Sequence, residues 1–182
     1  TLAILSPFDE RTPMQRTSDI AARLGMNIST VSRHLNTLLD WGFLRRDDET
    51  GCYYPGTQII SLAGAALQDS DVYRYSFPEL QLLSFRYGVH SHMSIQDDTE
   101  IMHLISCCCE HTMDLFVPMG HRQPMYCSAM GRIMLAYMPE AKAEDILKRS
   151  NREKRTPDTK VGVDEIMQEL KKERQQGICL LV

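Results

Sequence analysis

Apolar residues recur at Ile28, Val31, Leu35, Leu38 and Leu39, the spacing of one buried stripe along a helix. On the same segment Ser29, Ser32, Arg33 and Asn36 fall at i, i+3, i+4 and i+7. They form a second stripe, small and polar, with one long cation. The pattern predicts a helix that Asn27 caps, that runs to about Trp41 and that Gly42 ends. Upstream, Thr17-Ser18-Asp19 offers an N-cap for a helix burying Ile20, Ala21 and Leu24, and Gly25 suits the left-handed position that closes it. Residues 1–6 read as the end of a short apolar helix stopped near Pro7. Downstream, Phe43-Leu44-Arg45-Arg46, the acidic turn Asp47-Asp48-Glu49-Thr50-Gly51 and Cys52-Tyr53-Tyr54-Pro55 read as strand, turn, strand. Two helices, a tight turn and a following hairpin make a winged helix-turn-helix.

Farther along, Ile59, Leu62, Ala63, Ala66 and Leu67 repeat at helical spacing from Thr57. A polar stretch at 68–71 is the candidate domain boundary. Residues 72–87 read as a helix with a kink at Pro78, closed by Gly88. The pattern then changes period. Residues 89–96 and 101–108 are strand-like and flank the turn Asp97-Asp98, and 115–117 reads as a short third strand. Helices are predicted at 128–138, capped by Ser128 and halted by Pro139, at 140–150, and at 164–176, ended by Gly177. Residues 178–182 read as the start of a strand. The fold class is α+β: a DNA-binding domain at 1–68, a linker helix at 69–88, and an α/β domain at 89–182 that is expected to be incomplete at its C-terminus. The chain opens on Thr1, so its native start is also expected to lie upstream.

At 43 % apolar and 24 % charged residues over 182 positions, the chain can build a core and is not a disordered polyampholyte. No apolar run approaches ~18 residues, so no membrane span is expected, and no signal segment opens the chain. The net charge of −4 weighs slightly against a nucleic-acid binder, although only the surface facing phosphate must be positive. Six cysteines include the run Cys107-Cys108-Cys109 and no C-x-x-C pair. Reduced thiols in a cytoplasm are the expectation.

A helix-turn-helix lays its second helix in the major groove. The stripe on that helix is suited to reading a groove. Arg33 carries two donors for a guanine edge, Asn36 can pair with adenine, and Ser29 and Ser32 can reach bases or phosphates. Thr30 and His34 flank the stripe and could hold phosphate. Arg45 and Arg46 enter the wing. The competing reading is a solvated face on a core helix, but Ser and Asn are weak helix formers, and three on one face need a reason.

These segments resemble the IclR family of bacterial transcription regulators. The matching residues are 18–26 (SDIAARLGM), 29–35 (STVSRHL), 39–46 (LDWGFLRR) and 50–53 (TGCY), then Pro78-Glu79-Leu80 through Gly88, Gly120, Arg122, Pro124, and Ser128-Ala129-Met130-Gly131-Arg132 to Leu135-Ala136. The likeness departs from the family where the turn before the third helix lacks a frequent Pro. The resemblance implies a DNA-binding repressor of carbon-source metabolism with a GAF-like effector domain, a double-stranded DNA operator, a homodimer or tetramer, and no membrane partner, cofactor or metal.

At the start of the Ser128 helix the first N–H groups are unpaired and carry partial positive charge, so a small carboxylate fits there. The resemblance places the effector at the same spot, with Leu115, Ser128, Ala129 and Met130 as its residues, and with Tyr126, Met93 and Ile95 as looser candidates. The alternative is that Ser128 merely caps a packed helix. His90 and His92 share one strand face and His103 lies on the neighbouring strand. They could hold a metal if the pairing aligned them, or be ordinary partly exposed imidazoles. Two rivals stand beside the effector-controlled regulator: a thiol- or metal-sensing winged helix without an organic effector, and an enzyme with an accessory head. No G-x-S-x-G, H-E-x-x-H, Walker loop or G-x-G-x-x-G supports the last.

Overall fold

The computed structural model describes residues 2–9, 12–108 and 117–180. Among the described residues, seven α-helices and five strands fall into two units, Thr1–Arg74 and Tyr75–Val182, and the architecture is α+β.

In the first unit a 3-10 turn, Leu2–Leu5, precedes α1 (Thr17–Leu24) and α2 (Ile28–Asp40). Ile4, Ile20, Ala21, Val31, Leu35, Leu38, Leu44 and Tyr53 are buried together. Gly25 adopts φ 61°, which allows the Met26 N–H to reach the Ala21 carbonyl at 3.0 Å and closes α1 within a residue of the α2 cap. Asn27 then caps α2, its side chain accepting from the Ser29 N–H at 2.8 Å. Two expectations change. The residue in the cap position of α1 is Arg16, in extended conformation and without a side-chain cap bond, so Thr17, Ser18 and Asp19 are helical residues. Ile28, grouped above with the buried stripe, is 58 % exposed. It stands on the first turn, where the helix has not yet reached the core.

Strands β1 (Leu44–Arg46) and β2 (Tyr53–Pro55) pair antiparallel, with Arg45 opposite Tyr54 and Arg46 opposite Tyr53. Gln15 adds a bridge to Tyr53. At the tip the Asp47 carboxylate accepts from the Thr50 N–H and hydroxyl at 2.7 and 2.6 Å. The Thr50 hydroxyl and then its N–H lower the Asp47 pKa. The hairpin returns to α3 (Thr57–Gln68) through Gly56, where a Cβ would lie 2.2 Å from the Gly42 carbonyl oxygen, so only glycine fits. Helix α3 forms as its apolar spacing predicts, yet none of its residues is buried.

Helix α4 (Asp71–Tyr87) includes Pro78 within its length. In the second unit, strands β3 (Ser91–Asp97), β4 (Glu100–Cys107) and β5 (Arg122–Pro124) form an antiparallel sheet in that order. The third described strand of this sheet is Arg122–Pro124. Leu115 and Phe116 lie outside the described residues, and Val117 belongs to no strand. The β4 edge is filled by a short polar segment that carries no alternation to mark it. A register shift between Met93 and Ser94 breaks the β3–β4 ladder. Helices α5 (Ala129–Tyr137), α6 (Glu140–Arg149) and α7 (Val163–Gln176) bury Leu135, Ala136, Ala143, Ile146, Leu147, Ile166 and Leu170 together with Ile101, Met125 and Tyr126. Arg132 of α5, only 3 % exposed, donates from Nε to Glu173 and from its terminal nitrogen to Glu169, each at 2.8 Å. Burial alone works against this guanidinium, but the bonds to and charges of Glu173 and Glu169 outweigh it and raise its pKa. Residues 178–180, expected to open a strand, carry no strand pairing.

Candidate nucleic-acid interface and ligand site

The stripe opposite the buried face of α2 is open to solvent. Ser29, Arg33 and Asn36 are exposed, while Thr30, Ser32 and His34 are partly buried. This follows from the helical period: Val31, Leu35 and Leu38 take the inner face, which turns positions 29, 33 and 36 outward. Thr37, also exposed, extends the ridge by a further position that the polar spacing alone does not single out. Its hydroxyl donates to the Arg33 carbonyl at 3.1 Å. On the wing, Arg45 and Arg46 are exposed, and their guanidiniums lie 5.6 Å from the ring centres of Tyr54 and Tyr53 respectively. Each guanidinium thus stacks on a tyrosine of the opposing strand, and as neighbours along β1 the two arginines take opposite faces of the hairpin. Among the described residues of this unit, hydroxyl, guanidinium and amide groups thus stand exposed on one helix and two arginines on the wing.

In the second unit Ser128 sits in extended conformation before α5, is buried, and accepts from the Gly131 N–H at 3.2 Å. Gly131 is required here: a Cβ would lie 2.4 Å from the Met125 Cα and 2.6 Å from Ser128 Oγ. Ala129 and Met130 are partly buried, and Leu115 lies outside the described residues. Ser128 therefore has the capping bond that the simpler reading foresaw. One bond leaves its oxygen with further capacity, so the cap does not exclude a ligand.

Of the looser candidates, Tyr126 faces elsewhere. It is buried in the helical core, its hydroxyl donating to the Glu153 carbonyl at 2.6 Å and accepting from the Glu153 N–H at 3.0 Å. Met93 and Ile95 alternate with Ser94, whose hydroxyl reaches Met130 Sδ at 3.4 Å. They lie on the opposite sheet face from α5.

The α5 face of the sheet carries a polar row that the sequence reveals only in part. His92 pairs its Nδ1 with the Ser106 hydroxyl at 3.0 Å. Ring centroids run from His90 to His92 at 6.4 Å, to His103 at 5.8 Å and to His121 at 5.5 Å. His121 joins the row because the His103 N–H donates to the His121 carbonyl at 2.9 Å, a pairing across 18 residues of sequence that no local signal marks. Among the described residues no three His, Cys, Asp or Glu side chains converge as a metal site. Burial, then the neighbouring histidines, lowers the pKa of His103, and burial followed by His90 lowers that of His92. His103 is 2 % exposed, and neither ring nitrogen has a hydrogen-bond partner among the described residues. Each such orphaned group costs about 1–3 kcal/mol.

The described cysteines, Cys52, Cys107, Cys108, Cys127 and Cys179, are free thiols. Cys109 lies outside the described residues. Among the described residues no helix is long and apolar enough to cross a membrane.

Two family models match the chain: the IclR helix-turn-helix domain over residues 1–48 and the bacterial transcriptional regulator IclR C-terminal domain over residues 64–181. The HTH-type transcriptional regulator XynR of Escherichia coli K12 is 26 % identical over 179 residues, covering 98 % of this chain and 71 % of that protein. An IclR transcriptional regulator from Alicyclobacillus acidocaldarius has a similar structure, with TM-score 0.83 and 26 % identity over 97 % of this chain and 70 % of that one. An IclR homologue from Microbacterium hydrocarbonoxydans, solved in complex with 4-hydroxybenzoate, shares the fold at TM-score 0.80 and 22 % identity, covering 97 % of this chain and 72 % of that one. The chain spans 71 % of XynR and 52 % of a second curated relative, the HTH-type transcriptional regulator KdgR of Dickeya chrysanthemi.

Proposed function

The chain belongs to the IclR family of bacterial transcriptional regulators, and from that membership we propose a cytoplasmic repressor of carbon-source metabolism controlled by a small organic acid. The relatives are named as transcription regulators rather than enzymes. The observation that carries the DNA-binding part is the solvent-facing ridge of α2, held between an Asn27 cap and a hairpin with two exposed arginines. Ser29, Ser32, Arg33 and Asn36 read base edges, while Thr30, His34, Arg45 and Arg46 hold phosphate or the minor groove. One head covers too few base pairs for specificity, so two act together on a near-palindromic operator, in a dimer or a dimer of dimers.

The effector half rests on the start of α5. Unpaired N–H groups there, the spare capacity of Ser128 and the small Ala129 favour a carboxylate, and Met130 completes the described part of the site. The 4-hydroxybenzoate complex of the Microbacterium homologue supports a carboxylate in a relative's fold. The acid acts by binding the two arrangements of the paired heads unequally.

The test is fluorescence anisotropy on an operator fragment and on random duplex. Arg33→Ala is expected to lose discrimination between them by about 1–3 kcal/mol. Equal binding of both duplexes by the parent chain would refute the assignment.

A further inference from the structure

On the premise that the effector site lies at the start of α5, we infer that His103 sets its chemistry: the ligand is a small aliphatic acid that also carries a hydroxyl, and the hydroxyl meets the imidazole. His103 pairs with Ser94 across β3 and β4, and paired residues share a sheet face with their Cβ atoms about 5 Å apart. Ser94 in turn touches the Met130 side chain from the first turn of α5. The orphaned imidazole and the first turn of α5 therefore lie on one side of the sheet, linked through the Ser94 and Met130 side chains.

A neutral imidazole has one N–H to donate and one lone pair to accept, and a hydroxyl has the same two capacities. Burial keeps His103 in that neutral form at pH 7. Its neighbours are already engaged: His92 with Ser106 at 3.0 Å, and Gln123 with the His121 ring at 3.3 Å. His103 is the buried member of the row whose two nitrogens find no partner among the described residues. An apolar or plain aromatic tail seated over it would leave both nitrogens unmet, whereas a hydroxyl satisfies one and can reach the other through its second capacity. A cationic ligand is disfavoured by the positive end of α5.

The experiment uses matched pairs of acids that differ only in hydroxyl content: lactate with propionate, malate with succinate, gluconate with hexanoate. Affinities are measured by calorimetry on the full chain and on His103→Leu, with DNA binding of the variant as its folding control. At least one hydroxy acid is expected to bind about ten-fold or more tighter than its partner, and the ratio is expected to fall to about two-fold or less in His103→Leu while the plain acid is unaffected. If His103→Leu fails the folding control, 15N-imidazole spectra of the parent chain decide, because the hydroxy acid should shift the His103 nitrogens and the plain acid should not. Ratios near one for every pair, or a ratio that survives in His103→Leu, would overturn the role of His103 and leave the carboxylate site standing. Failure of all six acids to bind would bring down the effector reading itself, and this inference with it.

Discussion

Replacing Gly131 by alanine sets two effects of opposite sign against each other. Alanine in a helix interior is favoured over glycine by about 1 kcal/mol, so propensity alone makes the variant more stable. The packing reverses that sign. The new Cβ would lie 2.4 Å from the Met125 Cα, 2.6 Å from its carbonyl oxygen and 2.6 Å from Ser128 Oγ. Two of those atoms are backbone, so no rotamer change relieves the clash, and α5 must move away from the segment that enters it. Overpacking of this kind costs about 1–3 kcal/mol, and backbone contacts belong at the upper end. The same movement pulls the Gly131 N–H from Ser128, a capping bond of 3.2 Å worth about 1 kcal/mol. The net loss is about 2–3 kcal/mol after the propensity gain is set against it. Denaturant unfolding of parent and variant, followed by far-UV dichroism, measures it through the shift in midpoint at constant slope. A variant as stable as the parent, or more so, would show that the close approach is not rigid and that glycine is not required here.

Other outcomes follow from the same geometry. Asn27→Ala removes the acceptor that holds the Ser29 N–H and hydroxyl at 2.8 and 2.7 Å, and is expected to cost the first unit about 1 kcal/mol by denaturant unfolding; an unchanged midpoint would show that the cap is idle. Arg132→Ala leaves Glu173 and Glu169 without their buried partner, and a loss of about 3 kcal/mol is expected on the second unit. His92 and His103 have folded pKa values below the 6.5 of the free side chain. The unfolded chain therefore takes up protons first as pH falls through 6.5, and stability of the second unit should drop below that pH and be intact above it. A flat profile between pH 7 and 5, over roughly the range in which histidine titrates, would contradict the burial of the row.

The parts of this fold that could be read in advance are those decided within a few residues. Gly25 at φ 61°, the Asn27 cap and the acidic turn closed by Thr50 are each local hydrogen-bond problems with few solutions. The inner face of α2 follows from period alone, and with it the exposure of Ser29, Arg33 and Asn36. Position 28 escaped because period does not say where along its length a helix begins to touch the core. The sheet of the second unit was harder. Arg122–Pro124 is too short and polar to announce itself, and its place beside β4 is a long-range choice. The register shift at Met93 and Ser94 hides which strand residues share a face, so the histidines were legible as neighbours but the row through His121 was not. Arg132 gave no local hint of burial, because its two carboxylates come from a helix some forty residues away in the chain, Glu169 and Glu173.

Selection from a pool of random double-stranded DNA by the full chain puts the central claim to its most direct test. Successive rounds at near-physiological salt should enrich duplexes with two inverted half-sites whose centres lie about one or two helical turns apart, and the enrichment should vanish when Arg33 and Asn36 are both replaced by alanine. Recovery of a pool no different in sequence from the input, or an identical motif from the doubly substituted chain, would contradict the account.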